Sequence, residues 1–193
     1  MFRTAPLDPG KAIRGIGRED LSILDFWRWG YSNLLPNITR GVFAEYLVAV
    51  ALGKDGQPRK PWAGSDVKYK DKKVEVKSTS FVQSWGETRG EPVFVVAKHG
   101  EWSDRSELEK EKKYRGDVYV LCCLKEDADE DTIMDVSRWE FWALARDALV
   151  KPDKHETRIR VKTLRKERPS MGFGDLPGAV DDIILSLDPR GMA

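Results

Sequence analysis

Gly64-Ser65-Asp66-Val67-Lys68-Tyr69-Lys70-Asp71-Lys72-Lys73-Val74-Glu75-Val76-Lys77-Ser78-Thr79 reads as a β-hairpin. Successive strand residues point to opposite faces. Val74 and Val76 therefore share one face of the second strand, and Glu75 and Lys77 share the other. A turn at Asp71-Lys72 pairs Tyr69 with Val74, Val67 with Val76, Lys68 with Glu75 and Asp66 with Lys77. All the apolar residues then fall on one side, and Asp66, Glu75 and Lys77 on the opposite one. A one-residue slip would break that sorting. Diagonal neighbours on such a face lie roughly 7–8 Å apart. Two carboxylates at that spacing can lean onto one divalent cation, with an ammonium beside them.

This combination suits hydrolysis of a phosphodiester. Mg²⁺ prefers carboxylate oxygens and keeps several waters. Near a phosphate, such a cation polarises the phosphoryl oxygen and lowers the pKa of a bound water. Lys77 could orient or deprotonate that water, or offset the charge that builds around phosphorus. The plainer alternative is a solvated strand of alternating Glu and Lys, common on sheet surfaces.

A third acid supports the site reading. Residues 38–53 read as a helix, with Asn37 as its N-cap after Pro36 and Gly53 as its stop. Between Val42 and Leu52 the only charge is Glu45, whose neighbours three and four residues away are Gly41, Val42, Val48 and Ala49. A carboxylate on an apolar side is costly unless something pairs with it. The alternative is a glutamate at the helix's one wet edge.

A helix glutamate, an aspartate 21 residues on, and then Asp-x8-Glu-x-Lys resembles the signature of the PD-(D/E)XK nuclease superfamily. Glu45, Asp66, Glu75 and Lys77 occupy the matching places, and Ser65 stands where the superfamily usually has proline. The segments 77–85 and 135–144 also resemble a group of uncharacterised bacterial members. The likeness spans roughly residues 37 to 145. It implies an α/β fold with a mixed central β-sheet flanked by helices, restriction-endonuclease-like. It also implies Mg²⁺, with Mn²⁺ able to substitute, ligated by Asp66 and Glu75 and the Val76 carbonyl. Glu45 would hold a second metal or a metal-bound water, and Lys77 would serve the attacking water. Gln83 either lines the site, as a glutamine after the core strand does in some relatives, or is a surface amide.

Composition sets the frame. The chain has 193 residues, 40% apolar and 34% charged, with a net charge of +1. That is ordinary for one globular domain, expected over residues 19–193 after a loose N-terminal arm at 1–18. No apolar run approaches a membrane span of ~18 residues, and residues 1–10 lack the apolar core of a signal peptide, so a cytoplasmic protein is expected. Cys122 and Cys123 sit within the apolar run Val118–Leu124, a buried strand on which neighbours face opposite ways. That argues against a mutual disulfide or a zinc site. His99 and His155 lie in no readable catalytic pattern, and no Gly-rich phosphate loop occurs. Asp127, Asp129 and Asp131 alternate like a calcium loop, but Thr132 replaces the required glycine and Arg138 the closing glutamate; an acidic hairpin loop fits better.

The near-neutral total hides segregation. Residues 125–135 carry six acids against one lysine, and residues 154–168 carry seven Lys or Arg against two Glu. Residues 158–164 alternate basic and apolar, which predicts a strand whose outer face bears Arg158, Arg160 and Lys162. This face either tracks a phosphate backbone or keeps an edge strand soluble. Further elements are expected as a helix over 19–31, a strand or helical turn over 92–97, a short helix over 106–114, a strand over 139–144 and a last helix over 175–187. Trp62, Trp85 and Trp102 fall near the proposed site, where they either stack on bases or pack in the core. Trp27, Trp139 and Trp142 are expected in the core.

The function expected is a metal-dependent nuclease that hydrolyses phosphodiester bonds, with DNA as partner, of restriction, defence or repair type. The alternative is a catalytically idle nuclease-fold module that binds nucleic acid or protein. The motif does not separate DNA from RNA, and a domain of this size is expected to need a homodimer to cut both strands of a duplex.

Overall fold

Val118–Leu124 (VYVLCCL) is buried along its whole length. A strand covered on both faces reads as an unbroken apolar run rather than an alternating one, and this one lies inside the central sheet. The computed structural model of the chain describes residues 5–15, 17–18, 20–60, 64–83, 86–87, 90–98, 113–149 and 156–188. The described strands are β1 (Val67–Tyr69), β2 (Lys72–Ser80), β3 (Val82–Gln83), β4 (Gly86–Glu87), β5 (Val93–Ala97), β6 (Val118–Leu124), β7 (Trp139–Ala145) and β8 (Glu156–Arg160). The helices are α1 (Ile23–Tyr31), α2 (Asn37–Ala51), α3 (Arg146–Leu149), α4 (Val161–Glu167) and α5 (Leu176–Leu187).

The central sheet has the order β1-β2-β6-β7. β2 and β6 run parallel, from Val74↔Val118 to Ser80↔Leu124, while β1 and β7 run antiparallel to their neighbours. The fold is therefore mixed α/β, a mixed central sheet flanked by helices. One face bears Val74, Val76, Val118, Val120, Cys122, Leu124 and Phe141, packed under α2 and α5. The other bears Tyr119, Leu121, Cys123, Trp142 and Leu144, packed with Phe94, Val96, Val161 and Leu164 from the β5–β8 ribbon and α4. Cys122 and Cys123 enter opposite cores, as neighbours on a strand must, and both are free thiols. Trp139 and Trp142 are buried, whereas Trp27 is only partly covered.

α2 ends as its composition predicts: Gly53 adopts φ +63°, and the N–H of Lys54 bonds to the Ala49 carbonyl at 2.7 Å. Its N-cap is Pro36 rather than Asn37, which is already helical. α5 follows Asp175 with Pro177 in its first turn, as expected. Residues 11–13 of the N-terminal arm bond to residues 21–23 at the start of α1, through Ile13 N–H to Leu21 O and Ile23 N–H to Lys11 O, both 2.9 Å. Among the described residues no helix is long and apolar enough to cross a membrane. The expected helix over 106–114 falls almost wholly outside the described residues, as do Trp62, Trp85, Trp102, His99 and His155. The β6–β7 connection is an acidic loop in which Asp129 Oδ1 accepts from Asp131 N, Thr132 N and Thr132 Oγ1, a local turn.

Two expectations are corrected. The hairpin turn is Lys70-Asp71, not Asp71-Lys72. Both residues take positive φ (46° and 61°), and the register is Val67↔Val74, Lys68↔Lys73 and Tyr69↔Lys72. A two-residue loop with left-handed residues matches the right-handed twist of the strands it joins, and this preference moves the pairing by two positions. A two-residue shift keeps every side chain on its face, so the sorting of valines from charges survives. The second correction concerns residues 158–164. β8 stops at Arg160, and Val161 begins α4. Leu164 falls off the period-two pattern; it is buried with Val161, three residues earlier, which is helical spacing. Glu91 Oε1 accepts the Lys162 N–H and so satisfies one of the new helix's free donors.

The turn makes a test of the corrected register. Asp71→Val, which puts a β-branched residue at φ +61°, is expected to cost about 1–2 kcal/mol in denaturant unfolding, whereas Asp71→Gly is expected to cost nothing. Equal losses in the two variants would contradict the left-handed turn.

Candidate active site

β1 is only three residues long, and its pairing with β2 ends at Val67↔Val74. Beyond that point no strand among the described residues pairs with the outer edge of β2, and its N–H groups need other acceptors. Asp66, immediately before β1, supplies one: its Oδ2 accepts the Val76 N–H at 2.8 Å. This single bond sets the aspartate beside the Glu75-Val76-Lys77 segment. Glu75 and Lys77 project from the same face of β2, as their spacing requires, and Lys77 Nζ lies 2.8 Å from Glu75 Oε1.

Glu75 is 7% exposed. Behind it the chain passes so closely at Gly116 that a Cβ there would lie 2.9 Å from the Glu75 Cβ and 3.0 Å from the Tyr119 ring. The Tyr119 hydroxyl accepts the Gly116 N–H at 3.2 Å. Burial, together with the Glu75 charge, pushes the phenol up to about 12, so Tyr119 remains a neutral wall against the carboxylate.

Glu45 comes from α2, which packs against β2. Its side chain is mostly covered, and it is gripped by Arg59 in two bonds, Nε to Oε2 and Nη2 to Oε1, the latter 2.7 Å. Arg59 belongs to the polar connection between α2 and β1 and is half exposed. Such a forked pair is the strongest geometry available to a guanidinium and a carboxylate.

Asp66 registers all of these charges. Burial raises its carboxyl to about 6, and the charges of Glu75 and Glu45 push the same way. The Val76 N–H and the Lys77 charge oppose them. The four residues singled out from the sequence thus meet in one electrostatic environment. Among the described residues, however, no three His, Cys, Asp or Glu side chains are arranged to hold a metal ion as they stand. The donor set nevertheless suits a hard cation: three carboxylates and no thiol or imidazole, with one acid held against ionisation by burial first and by its like-charged neighbours second. A divalent cation would relieve that repulsion.

Gln83 is engaged rather than open. Its Oε1 accepts from Arg40 Nη1 at 3.3 Å. Arg40 is 2% exposed and also donates to Leu35 O, Asn37 Oδ1 and Ser78 Oγ. All four acceptors are neutral, and burial lowers this guanidinium to about 10. Arg40 therefore ties the start of α2 to the exit of β2, one residue beyond Lys77. Arg158 and Arg160 are exposed on β8, where Arg158 pairs with Glu156 at 2.6 Å. Lys162 is exposed on α4 and shares no strand face with them.

Sequence reasoning passed over Arg59, Arg40 and Gly116. Arg59 stands in an aperiodic loop with nothing to mark its partner. Arg40 carried a faint signal, as a lone cation at the start of an otherwise apolar helix. Gly116 shows its role only through a long-range contact. Compared with protein-family models, with curated proteins and with solved structures, the chain finds no match.

The raised Asp66 carboxyl dictates a pH dependence. Its folded pKa lies above the ordinary 3.8, so the folded state holds its proton more tightly than the unfolded chain does. Stability falls as pH rises from about 4 to about 6 and stays reduced above that. Asp66→Asn keeps an acceptor for the Val76 N–H and removes the buried charge. The variant is expected to be more stable than wild type at pH 8 by on the order of 2 kcal/mol, with the gap closing near pH 4. Unfolding curves at the two pH values measure it, and an equal or less stable variant at pH 8 would contradict the crowded-carboxylate description.

Proposed function

We propose that this chain is a metal-dependent nuclease that hydrolyses phosphodiester bonds, with DNA as its substrate, on a restriction-endonuclease-like version of the mixed α/β fold. The observation that carries this reading is geometric: Asp66, partly buried, is bonded to the Val76 N–H beside the Glu75–Lys77 pair, on a strand edge that α2 and its Glu45 pack against. Structural ion pairs rarely gather three acids against so few cations, because the uncompensated charge costs stability; strongly perturbed groups of this kind cluster at functional sites.

Asp66 and Glu75 are the residues to hold Mg²⁺, or Mn²⁺ in its place, with Glu45 as the third acid. The cation, when bound, polarises the phosphoryl oxygen and acidifies a water. Lys77 Nζ, already fixed by Glu75, orients the attacking water and offsets negative charge on the phosphoryl oxygens as the bond to phosphorus forms. Gly116 leaves room for Glu75 where any larger residue would collide with it, and Tyr119 stands close enough to feel its charge. Binding to the flanking phosphates falls to exposed basic groups, for which Arg158, Arg160 and Lys162 are candidates.

One observation favours a second reading. Glu75 and Glu45 are already neutralised by Lys77 and Arg59, as suits a catalytically idle module that only binds nucleic acid or protein. Cleavage of plasmid DNA and labelled oligonucleotides with Mg²⁺ or Mn²⁺ separates the two. Wild type is expected to cut, with Lys77→Ala and Asp66→Asn slower by at least ~10²-fold and nucleic-acid affinity nearly unchanged. Equal cutting by all three proteins would mean a contaminating enzyme, and no cutting by any of them would leave the binding module as the better description.

A further inference from the structure

We propose that Arg59 is the phosphate-binding residue of this site, parked on Glu45 until a divalent cation takes that carboxylate. The proposal rests on the nuclease reading above and adds a residue that the motif does not contain. Two observations carry it. Arg59 holds both oxygens of Glu45 in a fork, so a cation on Glu45 would have to share those oxygens with the guanidinium. The Arg59 side chain is 44% exposed, against 16% for Glu45. The arginine can therefore swing toward solvent, whereas the glutamate on its helix cannot follow.

The rest is electrostatic exchange. The acids need positive charge in either state. Without a cation, the Arg59 guanidinium and the Lys77 ammonium provide it. A bound divalent cation makes Arg59 redundant on Glu45 and repels it. The freed guanidinium, on the connection between α2 and β1, would turn to solvent, where it could meet a substrate phosphate. A planar fork of N–H donors fits two phosphate oxygens as well as it fits a carboxylate. Arg59 thus trades one oxyanion for another, and substrate binding is coupled to metal binding through a single side chain.

The experiment measures metal and nucleic-acid binding without turnover. Free Mn²⁺ is followed by electron paramagnetic resonance in titrations of wild type, Arg59→Ala, Arg59→Lys and Asp66→Asn. Binding of a fluorescent oligonucleotide is measured separately with Ca²⁺. Arg59→Ala removes the competitor, so its Mn²⁺ affinity should rise ~2–5-fold, the range of a partly exposed ion pair. Its oligonucleotide affinity with Ca²⁺ should fall ~10-fold or more, as expected for loss of charge-assisted bonds to phosphate. Arg59→Lys should fall between the two, because an ammonium keeps the charge but loses the fork. Thermal melting confirms that each variant is folded. If wild type takes up Mn²⁺, Asp66→Asn does not, and Arg59→Ala binds Mn²⁺ and oligonucleotide as wild type does, the Arg59 assignment alone is overturned. If wild type takes up no more Mn²⁺ than Asp66→Asn, both the metal site and this assignment fall.

Discussion

The bond from the Val76 N–H to Asp66 Oδ2, made at the edge of β2 where its pairing with β1 ends, is the constraint on which the surroundings depend. Asp66 is drawn in by the Val76 N–H, yet burial and two neighbouring acids penalise its charge. The chain answers with one cation per remaining acid: Lys77 for Glu75 and Arg59 for Glu45. Ion pairs at partly buried positions bring little net stability, because desolvation offsets most of the Coulomb attraction.

The sheet supplies the rigidity that makes the arrangement reproducible. β6 is covered on both faces and holds β2 in parallel register over seven pairs, Val74↔Val118 to Ser80↔Leu124. Glu75 is backed by Gly116 and the neutral Tyr119, and Arg40 straps the start of α2 to Ser78 and Gln83. The strap bears on the distance between Glu45 and Lys77, because the first rides on α2 and the second on β2. A buried cation with four neutral acceptors is an unusual tie.

Much of this was legible beforehand, for identifiable reasons. Period-two alternation sorted Val74 and Val76 from Glu75 and Lys77, and the sorting held although the turn moved, since a shift of two positions leaves each residue on its face. The unbroken apolar run at 118–124 announced a buried strand, and Cys122 and Cys123 went to opposite cores as neighbours must. The lone glutamate of an apolar helix pointed to a partner, though not to which one. Where the pattern was short, it misled: the alternation from Arg158 carried through Val161 and concealed the start of α4, because two apolar residues fit a strand and a helix equally well until Leu164 decides.

Local chemistry along the chain therefore determined which residues are candidates, which faces they occupy and which elements carry them, because side-chain periodicity and helix stop signals act over a few neighbouring residues. Only the tertiary structure decided who neutralises whom. Arg59 on Glu45, Arg40 on Gln83 and Gly116 against Glu75 join residues 14, 43 and 41 positions apart in the sequence. Electrostatic pairing and close packing depend on distance in space, and no pattern along the chain records that distance until the sheet has formed.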